Sequence, residues 1–158
     1  MKIQRLGRAE ASGEAGALME LATGLAGAPQ WGRAVWDGMI AGLDERGGRA
    51  GRMLFGAFDG GRLAGFAVCA HAADEAEIES IAVSESVQRQ GVGRALLEVA
   101  MDELRRAGVG VAHLEVRAGN TKAIHFYVAL GFVEQGRRAG YYRGPVEDAV
   151  LMNRGLNQ

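Results

Sequence analysis

The spacing of hydrophobic positions changes several times along the chain, and each change marks an element. Lys2–Leu6 is a short first strand. From Gly13 to Leu25, the residues Ala17, Leu18, Leu21, Ala22 and Leu25 recur at helical spacing, so an amphipathic helix is predicted, stopped by Gly24, Gly27 and Pro29. A second helix is predicted from about Gln30 to Leu43, with Val35, Trp36, Met39, Ile40 and Leu43 on one side. The period then falls to two. Arg52–Phe58 and Arg62–Ala70 read as strands joined by Asp59-Gly60-Gly61, a strong hairpin signal. Glu75–Val83 continues the meander. A helix spans about Val92 to Ala107, with Leu97, Ala100, Met101 and Leu104 facing inward and Gly108 ending it. Val111–Val116 is a strand, Thr121–Leu130 a helix, Gly131-Phe132-Val133 the start of another strand, and Asp148–Asn153 the last. The order is β-α-α-β-β-β-α-β-α-β-β, which predicts one α/β (α+β) domain over residues 1–158 with a mixed sheet.

Composition narrows the picture by exclusion. With 158 residues the chain can bury a real core, and 48% hydrophobic and 23% charged residues are ordinary for a globular protein. A net charge of −1 argues against a general nucleic-acid or membrane binder. Cys69 is the only cysteine and sits in an apolar run, so it is expected as a buried thiol without a disulfide. No apolar run approaches the ~20 residues needed to span a bilayer, and Met1–Leu6 has no apolar signal core, so a cytoplasmic location is expected. His71, His113 and His125 lack metal-ligand spacing and are expected to be surface or partly buried; no metal is predicted.

The candidate chemistry centres on Ile78–Arg94. An apolar strand passes through a polar turn and enters a helix by way of Gln88-x-x-Gly91-x-Gly93. Glycines let backbone N–H groups turn toward one point, and the helix start adds unpaired N–H groups and a positive dipole end. A phosphate or pyrophosphate fits such a place, with Arg89 and Arg94 at the rim. The same pattern also occurs with no ligand. It is neither a P-loop, since no G-K-[ST] follows, nor the dinucleotide fingerprint, whose glycine spacing differs.

Three blocks then line up: Ile81-Ala82-Val83 leading into the glycine turn, Leu114–Asn120 reading L-E-V-R-A-G-N, and Ala123–Phe132 reading A-I-H-F-Y-V-A-L-G-F. Tyr141-Tyr142 and Glu147–Met152 (E-D-A-V-L-M) follow. In this order the blocks resemble the GNAT superfamily of N-acetyltransferases, and more narrowly its RimI type, the ribosomal-protein-alanine N-acetyltransferases. The resemblance covers roughly Ala76 to the C-terminus; Pro29-Gln30-Trp31 is similar to a Trp-containing segment of the same group. It implies the GNAT fold, a mostly antiparallel central sheet of six to seven strands flanked by about four helices. Three departures stand out: Gly119 where Ser is usual, Val128 where an acidic residue is common, and Arg143 where Pro is frequent.

The resemblance also implies a donor, acetyl-coenzyme A, and roles for residues. The backbone of Ile81, Ala82 and Val83 would pair with the pantetheine arm, and the N–H groups of Arg89, Gln90, Gly91, Val92, Gly93 and Arg94 would receive the pyrophosphate. Asn120 has two compatible readings, a cofactor contact and the N-cap of the following helix. Glu115 matches the family's general base and Tyr127 its general acid toward the sulfur. From the residues alone, Glu115 also reads as a solvated strand residue and Tyr127 as a core aromatic. Glu79 is a rival base, and water can relay the proton. Trp31, Tyr141 and Tyr142 are candidates for binding the acceptor, with packing as the alternative for each.

The RimI type implies the N-terminal alanine of a small-subunit ribosomal protein as acceptor. An α-amine has a pKa of about 7.7–8.0 against about 10.4 for lysine, so roughly 10–15% is neutral near pH 7 against about 0.04%. Removing its first proton takes ~3.5 kcal/mol less, so a carboxylate base is sufficient. A small amine or a lysine side chain remains a second acceptor class, and an acyl-coenzyme A-binding module without turnover a third reading.

Overall fold

The computed structural model describes residues 1–24, 31–45, 48 and 50–157. The elements are β1 (Lys2–Leu6), α1 (Arg8–Gly13), α2 (Ala15–Thr23), α3 (Arg33–Ala41), β2 (Ala50–Asp59), β3 (Arg62–Ala72), β4 (Glu75–Val83), α4 (Val92–Arg106), β5 (Val111–Arg117), α5 (Thr121–Ala129), β6 (Val133–Tyr142) and β7 (Glu147–Gly155). All seven strands form one sheet in the order β1-β2-β3-β4-β5-β7-β6. Every pairing is antiparallel except β4 with β5. That one parallel contact follows from the connection, since α4 must carry the chain back before β5 can begin.

Strand alternation builds a core on each side of the sheet. On one face Met53, Phe55, Ala57, Ala67, Cys69, Leu114, Val116, Val150 and Met152 meet Leu96, Leu97, Ala100, Met101 and Leu104 of α4. Those α4 residues recur every three or four positions and are all essentially buried. Each buried Leu or Met stabilises the fold by about 1.5–3 kcal/mol relative to exposure. On the other face Leu54, Phe66, Val68 and Ala82 meet Leu18, Ala22, Trp36, Met39 and Ile40 of α2 and α3. Trp36 is fully buried, edge-on to Phe66 with centroids 5.3 Å apart.

The N-terminal region departs from the expected two helices. α1 is an additional short helix, and its sequence hides it: Ala11 is its only buried residue. Its start is marked instead by Glu10, whose carboxylate accepts from the Gly7 N–H at 3.2 Å. α2 begins at Ala15 rather than Gly13 and buries Ala15, Leu18 and Ala22, leaving Ala17 half-buried. α3 is shorter than expected at both ends, and Val35 on it is 53% exposed. The predicted limits at Leu25 and Gln30, and Pro29 between them, lie outside the described residues. No helix among the described residues is long and apolar enough to cross a membrane.

His71 corrects a second expectation. It is buried, not at the surface, with Nε2 3.6 Å from Asp44 Oδ2. β3 runs two residues further than its apolar run suggested, so alternation turns His71 to the same face as Cys69. His113 is half exposed, 3.3 Å from Glu75, and His125 is exposed.

Cys69 is fully buried, and desolvation pushes its thiol up to about 12. The folded protein should therefore show no reaction with an aromatic disulfide reagent at pH 8, and one equivalent after denaturation. Stoichiometric labelling of the native protein would contradict the burial.

Candidate active site

The site begins with a mismatch in strand pairing. β4 meets β5 at only three positions, Glu75 with Val111, Ala76 with Ala112 and Glu77 with His113. On its other side β4 carries a bulge: Ser80 opposes Val68 while Ile78 opposes Cys69, so Glu79 is the extra residue. A bulge bends its strand and increases its twist. It also reverses the alternation. Ala76 and Ile78 face the α4 core before it, and Ile81 and Val83 pack against that core after it. Beyond Glu77 the β5-side edge of β4 has no strand partner among the described residues, while β5 stays paired to β7 as far as Arg117. The sheet opens into a cleft whose one wall is a free peptide edge, Ile81, Ala82 and Val83.

The cleft ends at the glycine turn. After a short 3₁₀ turn at Glu85–Val87, Gln88 folds back and its Nε2 donates to the Val83 carbonyl at 2.9 Å. Arg89 and Gly91 take left-handed backbone conformations, with φ of 65° and 79°. Buried Val87 and Val92 anchor the turn from below, and no side chain caps α4. The helix entrance therefore presents main-chain N–H groups outward, with Arg89, Gln90, Gly91 and Arg94 exposed around it. This fits an anionic diphosphate. A β-carbon on Gly93 would come 3.3 Å from the Phe126 ring, so α5 packs close against this entrance. A shallow depression of about 600 Å³ lined by Arg94, Glu98, Leu130, Gly131 and Arg154 lies beside it and includes neither Glu115 nor Tyr127.

The far wall carries the ionisable groups. On β5, Ala112, Leu114 and Val116 turn into the core, so Glu115 turns to the opposite face and keeps its side chain 25% exposed. Arg138 Nε lies 3.8 Å from its carboxylate. The Tyr141 phenol is raised because Glu115 accepts its hydrogen bond and adds negative charge nearby. Tyr127 on α5 is buried, edge-on to Phe126 at 5.3 Å and to Phe132 at 5.8 Å. Burial first, and Tyr142 second, push its phenol up to about 12. The Tyr142 phenol is raised by burial, then by Glu115 and Tyr141. Glu115 thus acts on Tyr141 and Tyr142, and Tyr142 on Tyr127.

The rival carboxylate is occupied. Glu79 forms a two-pronged pair with Arg52, at 2.7 and 3.0 Å. Glu77 was not singled out by the sequence, although it precedes Glu79 by two residues. Its carboxyl is raised by partial desolvation, then by Glu79 and Glu115, against smaller opposing effects of His113 and Arg52, and among the described residues it forms no salt bridge. Asn120 is the N-cap of α5, its Oδ1 accepting from the Ala123 N–H at 3.2 Å. Trp31 packs edge-on against Trp36 at 5.1 Å and lies half-buried on the α2–α3 core. It makes no ring contact with Tyr141 or Tyr142, which stack edge-on with each other at 5.1 Å.

Residues 28–132 match the model of the acetyltransferase (GNAT) family. The chain belongs to this family. It is 48% identical over 94 residues, 58% of its length, to the [ribosomal protein bS18]-alanine N-acetyltransferase of Escherichia coli K12, and the match spans 64% of that relative. It is similar throughout to the crystal structure of the Escherichia coli ribosomal-protein-S18-alanine N-acetyltransferase, with a TM-score of 0.81, 33% identity and coverage of 99% of this chain and 94% of that one. A putative streptothricin acetyltransferase from Bacillus anthracis, solved in complex with acetyl coenzyme A, is 25% identical with a TM-score of 0.62, covering 66% of this chain and 62% of that one. Among GNAT features in this chain, the uncapped helix entrance was expected. The Arg52–Glu79 pair and the lone Glu77 were not, because Arg52 lies on a strand 27 residues away from Glu79.

Gly91 has open space around its missing β-carbon but φ of +79°, so a branched residue there strains only the backbone, by about 1–2 kcal/mol. Gly91→Val should weaken acetyl-coenzyme A binding, measured by calorimetry, by 10-fold or more on the order of that strain energy, while Tm falls only modestly. Unchanged affinity would mean the entrance does not hold the diphosphate.

Proposed function

We propose that this chain is an acetyl-coenzyme A-dependent N-acetyltransferase whose acceptor is a protein N-terminal α-amine, an alanine of a small-subunit ribosomal protein. The observation that carries it is the opening between β4 and β5, which ends at the uncapped entrance of α4 and has Glu115 on its β5 side. The relatives named for bS18-alanine acetylation support the acceptor.

The donor supplies an acetyl thioester. The free edge of Ile81–Val83 and the N–H groups of Arg89–Arg94 suit its pantetheine amides and diphosphate. Asn120 is held by its cap but keeps its amide N–H₂ available as a donor. Glu115 accepts the proton that the amine sheds as its nitrogen bonds to the acetyl carbon, directly or through water. Tyr127 gives its phenolic proton to the sulfur as the carbon–sulfur bond breaks, leaving free thiol and an N-acetyl amide; solvent then returns the proton to Tyr127. Burial raises Tyr127, and the same dry setting raises the basicity of the departing thiolate, so proton transfer between them stays feasible. The two-pronged pairing of Glu79 with Arg52 favours Glu115 over Glu79 as base.

The test is a panel: pure protein, acetyl-coenzyme A, and peptides beginning with Ala, Ser or Met, together with polyamines and internal-lysine peptides. Thiol release with Ala-start peptides is expected. Release only with polyamines or lysine would move the acceptor to that class, and tight donor binding without release anywhere would make the chain a binding module.

Tyr127→Phe should lower kcat by about 10²-fold or more without loss of donor affinity. The wild-type rate should not decline with pH up to about 10. A phenol raised to about 12 stays protonated there, whereas one at the ordinary value of about 10 would already be half ionised at that pH. A descending limb centred near pH 9 would assign the acid to another group.

A further inference from the structure

Two residues beyond Glu115, one guanidinium makes more contacts than any other in the site. Arg117 Nη1 donates to the Pro145 carbonyl at 3.4 Å and to Glu147 Oε1 at 3.3 Å. Its Nη2 donates to the Arg143 carbonyl at 3.2 Å. Its central carbon lies over the Tyr142 ring, 4.4 Å from the centroid. All four partners belong to the end of the β6–β7 hairpin, where Tyr142 pairs with Glu147 and residues 143–146 form the exposed tip. Glu147 continues the chain of contacts, because its Oε2 accepts from the Gly119 N–H.

The surroundings explain why this tip needs an anchor. The β6–β7 register shifts between Arg138 and Tyr142, so the ladder is interrupted just before Tyr141. Gly140 N–H goes to the Asp148 side chain at 2.9 Å in place of a strand partner. Tyr141 is 47% exposed and contributes little burial of its own. Local order at the tip therefore rests on the cation. A planar fork reaching two carbonyls, a carboxylate and a ring face is a geometry arginine can make and lysine cannot.

Gly119 belongs to the same device. A β-carbon there would lie 2.5 Å from Glu147 Oε2, and its φ is not in the left-handed region. The absent side chain is a matter of space: a β-carbon there forces Glu147 Oε2 to move from its place against the Gly119 N–H. The departure at Gly119 from the family's usual Ser thus gives room to a carboxylate that ties the hairpin to the start of α5.

We infer that Arg117 is a positioning residue that sets acceptor affinity, by holding the Tyr141–Tyr142 end of the hairpin over Glu115 through a latch with Glu147 that Gly119 leaves space for. The acetyl-donor side is not part of the latch. Partly exposed ion pairs of this kind contribute little to global stability, so the effect is local to the loop.

The kinetic arm of the test rests on the acceptor proposed above; the exchange arm does not. Arg117→Gln should raise the KM of an Ala-start peptide by on the order of 10-fold, with kcat and the KM of acetyl-coenzyme A within about twofold of wild type. Arg117→Lys should recover part of the loss, because the charge for Glu147 remains while the fork is gone. Amide hydrogen exchange should quicken at residues 140–147 in Arg117→Gln and Gly119→Ala, and stay unchanged in α4. Unchanged exchange at the hairpin, or an acetyl-coenzyme A KM that rises as much as the peptide KM, would overturn the latch. If Arg117→Gln does not fold, Gly119→Ala decides by the same two readouts, since it removes no charge and no hydrogen-bonding group. If no peptide is turned over by the wild type, the proposed acceptor fails and exchange alone decides the latch.

Discussion

The bulge at Glu79 is the constraint on which the site depends. One additional residue in β4 bends the strand and ends its pairing with β5 after three rungs. Without the bulge β4 would continue alongside β5, and the cleft would be filled by a peptide ladder. The same residue reverses which side chains face α4. Ile81 and Val83 then pack on the core above the cleft, and their backbone groups are left on its open edge. A sheet edge inside a fold is a liability unless something pairs with it. Here the unpaired edge lies next to an uncapped helix entrance, so a ligand with amide groups and a diphosphate satisfies both at once.

Charge is distributed unevenly across that cleft. At the helix entrance the exposed arginines Arg89 and Arg94 add positive charge to the backbone N–H groups. Three carboxylates border the cleft, Glu77 and Glu79 on β4 and Glu115 on β5, of which Glu79 is paired with Arg52 and Glu115 lies near Arg138. The phenols of Tyr141 and Tyr142 are held more firmly protonated by Glu115, that of Tyr142 by burial first, and that of Tyr127 chiefly by burial.

The elements legible in the sequence were those with strong local patterns. The α4 stripe, the Asp59-Gly60-Gly61 hairpin and the alternation of β5 each repeat a period over enough residues to be read directly. The motif blocks placed Glu115, Tyr127 and the glycine turn. The N-terminal helices were less legible. α1 buries a single alanine, and α2 uses Ala15 rather than Ala17 for its buried stripe, because several small residues there fit either face. His71 was misplaced because nothing in a local window shows that β3 runs on past Ala70 to pair with β2.

What the chain's own sequence settled was which backbone segments take which period, and hence where a strand gives way to a glycine turn and a helix. Those properties depend on neighbours within a few positions. Which carboxylate is available was decided only by the tertiary structure. Glu77, Glu79 and Glu115 are equivalent as residue types, and they differ because Arg52, 27 residues before Glu79, hydrogen-bonds to Glu79 alone while Arg138 lies near Glu115. Likewise Gly119 is in the sequence only a departure from Ser, and gains a structural reason when Glu147, 28 residues later, folds back onto it. Interactions at that sequence separation leave no local pattern, because the chain between them carries no period that brings them together.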